Sequence, residues 1–179
     1  MIKFKKFSAV IFRGCLIWAS YSDIVKQEIK ENKMKIFGDP DLGKEIVDVL
    51  HEWDRAIAGL DIQNALKLCA PELSFFDLST EIHDKQAYED KWNFYMPFML
   101  NGVTVQRHNV SIFVESSLAF VYGYVKLTIF DTQDEPPIRW CRSTLCLRKD
   151  SAGWKMVHQH ISVPVEIETQ AMKVLEIGV

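Results

Sequence analysis

The stretch Trp154-Lys-Met-Val-His-Gln-His-Ile-Ser-Val-Pro-Val165 decides how the chain is read, because its residue types and spacing are those of a long strand. Side chains alternate across a strand. Trp154, Met156, His158, His160 and Ser162 are therefore expected on one face, with two imidazoles side by side, and Lys155, Val157, Gln159, Ile161 and Val163 on the other. Arg142 to Asp150 is a second alternating run, and the turn Asp150-Ser-Ala-Gly153 joins the two as a hairpin.

Working back from this hairpin, Val103 to Val114, Leu118 to Phe130 and Ile138 to Lys149 are further runs rich in Val, Ile, Thr, Tyr and Phe. They are separated by short polar links, so the second half is expected to be an antiparallel meander. Before Gly102 the period is helical. Leu42, Ile46, Val49, Leu50, Trp53, Ile57 and Leu60 recur at steps of three and four, which predicts an amphipathic helix ended by Gly59 and Asp61. A shorter helix from Asp61 to Cys69 starts on a capping carboxylate and stops before Ala70-Pro71. Leu73 to Leu78 reads as a short strand. Asp84 to Leu100 reads as a third helix with Tyr88, Trp92, Tyr95, Met96 and Met99 on one stripe, ended or kinked at Pro97. Helices followed by a long meander make an α+β fold with the helices against one face of a curved sheet.

The segment Arg142 to Pro164 resembles the end of a SnoaL-like domain of the nuclear transport factor 2-like superfamily, as the ketosteroid-isomerase-like proteins are. There, a strand ending in basic residues, an acidic-glycine turn, Trp and His-x-His-x-Ser follow in that order. The order of elements from about Leu42 to Pro164 is similar too. The resemblance implies a cone: three N-terminal helices, a short strand between the second and third, and a strongly curved antiparallel sheet whose concave side holds a pocket. It also implies a homodimer formed through the sheet, and a cofactor-independent isomerase, cyclase or dehydratase that moves a proton on a hydrophobic carbonyl compound. The alternative is a non-catalytic ligand-binding or self-association module, since this fold carries both.

Composition fits one globular domain: 179 residues, 48% hydrophobic and 12% aromatic, enough for a self-supporting core. A formal charge of −3 without a basic stripe beyond the first lysines excludes a phosphate-backbone binder, so nucleic acid is not an expected partner. Cys15, Cys69, Cys141 and Cys146 show no C-x-x-C spacing, and Cys141 and Cys146 fall on opposite faces of one strand, so they read as thiols of a reducing compartment. Residues 1–33 differ from the rest. Lysines at 3, 5 and 6 precede the apolar run Ser8 to Ala19, the outline of an export signal, but Arg13 interrupts it and the run is too short to span a bilayer. The expectation is an N-terminal extension outside the fold, a single domain over 34–179, a cytoplasmic protein and no membrane partner.

Three candidate centres follow. Asp77 lies between apolar residues on the short strand; it is either a desolvated acid-base group or a turn cap before Ser79-Thr80. His158 and His160 form the second, either polarising a water or packed as scaffold. A metal would need a third ligand such as His108, and none is expected. Arg142 is the third, either meeting a ligand acid or facing solvent. With Asp77, His158 and His160 as catalytic candidates, Trp53, Tyr88, Trp92, Tyr122, Tyr124 and Arg142 are the expected ligand-binding residues, lining a pocket for a small hydrophobic ligand.

Overall fold

Asp39 accepts hydrogen bonds from the backbone of Asp41 (2.8 Å) and Leu42 (3.2 Å), and Pro40 follows, so the first helix starts where an N-cap and a proline both favour it. The computed structural model describes residues 34–99, 102–129, 140–175 and 177. The chain divides between Lys33 and Met34 into two units, and the second is the one described. The readings for residues 1–33, Leu100, Phe130 and 131–139 lie outside the described residues.

In chain order the elements are β1 (Lys35–Gly38), α1 (Pro40–Ala58), α2 (Ile62–Lys67), β2 (Cys69–Phe76), β3 (Glu81–Ile82), α3 (Lys85–Tyr95), a 3-10 turn (Met96–Phe98), β4 (Val103–Glu115), β5 (Leu118–Ile129), β6 (Cys141–Asp150) and β7 (Gly153–Ser162). Among the described residues the strands form one seven-stranded open sheet in the order β1-β4-β5-β6-β7-β2-β3. The meander β4 to β7 is antiparallel as the alternation predicts, while β1 joins β4 and β2 joins β7 in parallel.

The sequence reading needs correction at three places. It leaves out the edge strands β1 and β3, which are too short to show a period. It runs the second helix to Cys69, whereas that helix ends at Lys67 and Cys69 already opens β2, with Pro71 inside the strand. It ends the third helix at Leu100; Tyr95 is the last α-helical residue, and Pro97 continues only in the 3-10 turn.

The helices pack on the inner face of the sheet. Ile46, Leu50, Trp53, Ala56 and Ile57 of α1 bury their side chains with Ile112, Val114, Val121, Leu145, Leu147 and Met156 of the sheet. Each such aliphatic residue contributes about 1.5–3 kcal/mol. Gly43 lets β1 lie close on α1, since a Cβ there would stand 2.3 Å from Ile36.

Two bulges bend the sheet. In β4 the residues Asn109 and Val110 together oppose Gly123 of β5, with Asn109 at φ 51°. A side chain on Gly123 would meet the His108 carbonyl oxygen at 3.0 Å, so only glycine lets the strands approach here. In β7, Cys146 pairs with His158 but Leu147 pairs with Met156, which leaves Val157 as the extra residue. That bulge decides which face the histidines take.

Candidate functional site

Alternation fixes the inner face of each strand: Leu73 and Phe75 of β2, Arg107 of β4, Cys141, Ser143 and Leu145 of β6, and Trp154 and Met156 of β7 are all buried. Beyond the Val157 bulge the parity of β7 reverses. Gln159, 2% exposed, turns inward, while His158 and His160 turn outward. The expectation that Trp154, Met156, His158 and His160 share one face is therefore corrected, because one inserted residue flips every side chain after it.

Asp77 follows Phe76, the last residue of β2, so it lies half-buried in the turn after the strand and not on the strand where it was expected. Its charge reaches the Tyr88 phenol and the Cys141 thiol and raises both pKa values, though burial is the larger cause for each. Its carboxylate also accepts from the Leu78 backbone at 2.8 Å, and its own N–H donates to the Thr80 carbonyl at 2.9 Å. These hydrogen bonds place Asp77 in the turn that runs to Thr80.

Tyr88 is the centre of the inner group. It is 1% exposed, stands edge-on to Phe75 (5.8 Å) and Trp92 (6.2 Å), and burial pushes its phenol well above the ordinary value. The indole N–H groups of Trp53 and Trp92 act on the Tyr88 oxygen from nearby and pull the other way, but neither Trp53 Nε1 nor Tyr88 Oη completes a hydrogen bond with the distance and angle one requires. Ser143 Oγ and Thr80 Oγ1 are buried without hydrogen-bond partners as well. Buried polar groups are normally paired, and each unpaired one costs about 1–3 kcal/mol.

Beside this group lies an ion pair that the sequence reading missed. Arg107 of β4 donates from Nε to both Asp54 oxygens (3.1 and 2.8 Å) and from Nη2 to Oδ1 (2.7 Å), and its guanidinium lies 5.6 Å from the Trp53 ring. A shallow crevice is lined by Arg107, Val110, Val121, Tyr122, Gly123, Tyr124, Ser143 and Leu145. It is too narrow to seat a water molecule.

The outer face carries the rest of the expected residues. His158 Nδ1 and Ser74 Oγ are hydrogen-bonded at 2.7 Å, and the Phe76 ring meets both imidazoles edge-on, at 4.9 Å from His158 and 5.9 Å from His160. Burial first, and the neighbouring His160 charge second, hold His158 below its usual pKa. Tyr122 is stacked with Phe113 and Phe120 on this face, Tyr124 shares its parity, and Arg142 is exposed. Of the expected ligand-binding residues, Trp53, Tyr88 and Trp92 therefore gather on the helix side of the sheet. Tyr122, Tyr124, Arg142, His158 and His160 are separated from them by the sheet. His108 packs on Trp140 (5.9 Å), and no cluster of three metal-ligating side chains forms among the described residues. No helix among the described residues is long and apolar enough to cross a membrane.

With this geometry in view, the family model for the SnoaL-like domain matches residues 46–166. The chain belongs to the SnoaL-like domain family. The solved structures similar to this SnoaL-like chain share its fold at low identity. One is a nuclear transport factor 2-like protein of unknown function from Pseudomonas putida KT2440: 22% identical, TM-score 0.70, covering 78% of this chain and 99% of that one. Another, from Novosphingobium aromaticivorans and provisionally named a scytalone dehydratase, is 15% identical with TM-score 0.59, over 66% of this chain and 80% of its own. A third, from Shewanella frigidimarina and provisionally named a ketosteroid isomerase, is 16% identical with TM-score 0.55, over 64% and 92%. No curated protein matches.

Proposed function

We propose that the inner face is a small-molecule site that moves a proton next to the carbonyl of a hydrophobic compound without a cofactor, as an isomerase, cyclase or dehydratase does. The observation that carries this is the buried, unpaired Tyr88 Oη with the unpaired Trp53 Nε1 facing it and the Asp77 carboxylate within electrostatic reach. Donors held in a dry interior bind developing negative charge on an oxygen, and a carboxylate beside them takes the proton. In this scheme Asp77 removes the proton α to the carbonyl, the enolate oxygen accepts from Tyr88 and Trp53, and the proton returns to carbon. Trp92, Phe75 and Trp53 supply apolar walls. Since the crevice has no room even for a water molecule, ligand entry requires side chains to move.

Deuterium exchange tests the reading. In D2O the protein should speed exchange of the acetyl protons of 2-acetylnaphthalene, and Asp77→Asn should cut that rate about 100-fold or more with little change in melting temperature. Binding of the ketone without exchange would favour the non-catalytic binding module instead. Unfolding of the Asp77→Asn protein would remove the catalytic role altogether.

We also propose that the outer face joins two copies. Phe37, Phe113 and Phe120 stack in a row at centroid spacings of 4.4 and 4.7 Å, and Phe37 (45%), Phe120 (44%) and Tyr122 (45%) stay exposed. A contiguous exposed aromatic row is uncommon on a monomer. Self-association through the sheet is what the superfamily resemblance implies. Sedimentation of a monomer at micromolar concentration would contradict it.

A further inference from the structure

Beyond β7 the chain forms a second exposed apolar surface. Val165 bridges Met172 in antiparallel fashion, with the Glu166 N–H donating to the Ala171 carbonyl (2.9 Å) and the Lys173 N–H to the Pro164 carbonyl (2.8 Å). That pattern makes Val165 and Met172 a non-hydrogen-bonded pair, whose side chains lie close together on one face of a short hairpin. Val174, two residues on, shares their face, and Ile167 sits in the turn. Val165 (54%), Met172 (59%), Val174 (41%) and Ile167 (90%) all stay exposed. Glu166 and Lys173 take the opposite face, where their side chains meet at 3.9 Å. The hairpin is thus amphipathic, and its apolar side is uncovered. A lone two-stranded hairpin is marginal in water, so this arm needs a surface to lie on.

We infer that the hairpin of residues 163–174 docks on the aromatic patch Phe37, Phe113, Phe120 and Tyr122 of a second copy, each arm on the other copy's sheet. The inference rests on the reading of the outer face as the surface that joins two copies, and it names what lies between them. The lengths agree. About five residues per strand make a ribbon about 15 Å long, and the row Phe37–Phe113–Phe120 crosses three strands, about 10 Å. The charges agree as well. Arg142 lies one strand over and two residues on from Tyr122, about 8 Å away along the sheet, and Glu168 occupies the turn of the arm. Both are exposed, and among the described residues neither has an ion-pair partner. An arm laid on the other copy's patch carries Glu168 within side-chain reach of that copy's Arg142. Symmetry favours a second copy over an unrelated protein: one two-fold contact covers the arm and the patch of both copies at once and leaves neither open.

The test uses the full chain with Ile167 replaced by the photo-crosslinker p-benzoylphenylalanine, in an equal mixture of unlabelled and nitrogen-15-labelled copies irradiated at micromolar concentration. Peptide mass spectrometry should find the probe joined to residues 111–124 in products that mix the two labels. Products of a single label only, or attachment to any other part of the chain, would overturn the inference. Sedimentation of full-chain variants gives a second reading. Ile167→Glu with Met172→Glu should weaken the dimer at least about tenfold, and Phe120→Glu should do the same. Glu166→Gln with Lys173→Gln, on the opposite face of the hairpin, should stay within about threefold of the native chain; a larger loss would put the wrong face of the arm in the contact. If the arm variant or Phe120→Glu leaves the dimer as tight as the native one, arm and patch do not meet, and the inference fails while the dimer stands. If the native chain sediments as a monomer, the outer-face reading itself falls and takes the inference with it.

Discussion

Replacing Trp154 by alanine should lower the unfolding free energy by roughly 3–5 kcal/mol, the cost of truncating a large core aromatic. Trp154 is 4% exposed and belongs to the main core cluster, so its removal leaves a cavity between the hairpin β6–β7 and the rest of the core. Its Nε1 also donates to Glu45 of α1 at 2.8 Å, and the same carboxylate oxygen accepts from Lys149 at 2.6 Å. That contact ties the helix to the tip of the hairpin. Lys149 first and Trp154 second hold the Glu45 carboxyl below its usual pKa, so the contact stabilises above the unfolded-state value and is lost as pH falls through the folded one. Because Glu45 is exposed, Glu45→Gln should cost much less than Trp154→Ala. Urea titration of both variants separates the cavity from the surface contact. A Trp154→Ala loss below about 1 kcal/mol would mean that the hairpin is not anchored by this ring.

The elements that were legible in the sequence are those long enough to repeat their period. Helix α1 shows five turns of core spacing from Leu42 to Leu60, and each meander strand shows ten or more residues of alternation. Strands β1 and β3, with four and two residues, carry no period at all; they are strands only because β4 and β2 offer them an edge. The histidines failed for a different reason. Alternation predicts faces only while pairing stays regular, and nothing in Met156-Val157-His158 announces that Val157 is the extra residue.

The site was half legible. Tyr88 and Trp92 lie on the apolar stripe of the third helix, so their contact follows from the fold, whereas Asp77, expected on the short strand, falls in the turn after it. The Asp54–Arg107 pair was missed although it left a signal. Position 54 is four after Leu50 and three before Ile57, on the core stripe of α1, and position 107 shares the parity of Val103 and Val105 in β4. A single charge on a core stripe reads as noise. Opposite charges on two core stripes that the topology lays together read as a pair.

Replacing Asp54 by alanine should be nearly as costly as losing Trp154, roughly 3–5 kcal/mol, and by a different route. Arg107 has a side chain only 6% exposed and gives Asp54 three hydrogen-bond contacts. Without that carboxylate the guanidinium stays in a desolvated place, beside the Trp53 ring and the crevice, with its main compensation removed. The charge cannot be relieved by deprotonation, since an arginine stays protonated at any accessible pH. The cost should therefore persist across the pH range instead of vanishing where a lysine would neutralise. Removing both charges together has a different sign. Asp54→Leu with Arg107→Met fills similar volume with apolar atoms, and such replacements of buried pairs are close to neutral. The double variant should therefore recover most of the stability lost in Asp54→Ala, and the coupling measured in urea should be several times the value of an exposed pair, which is about 0–1 kcal/mol. A single-variant cost below about 1 kcal/mol would show the pair behaving as a surface contact. Arg107 would then be solvated in solution.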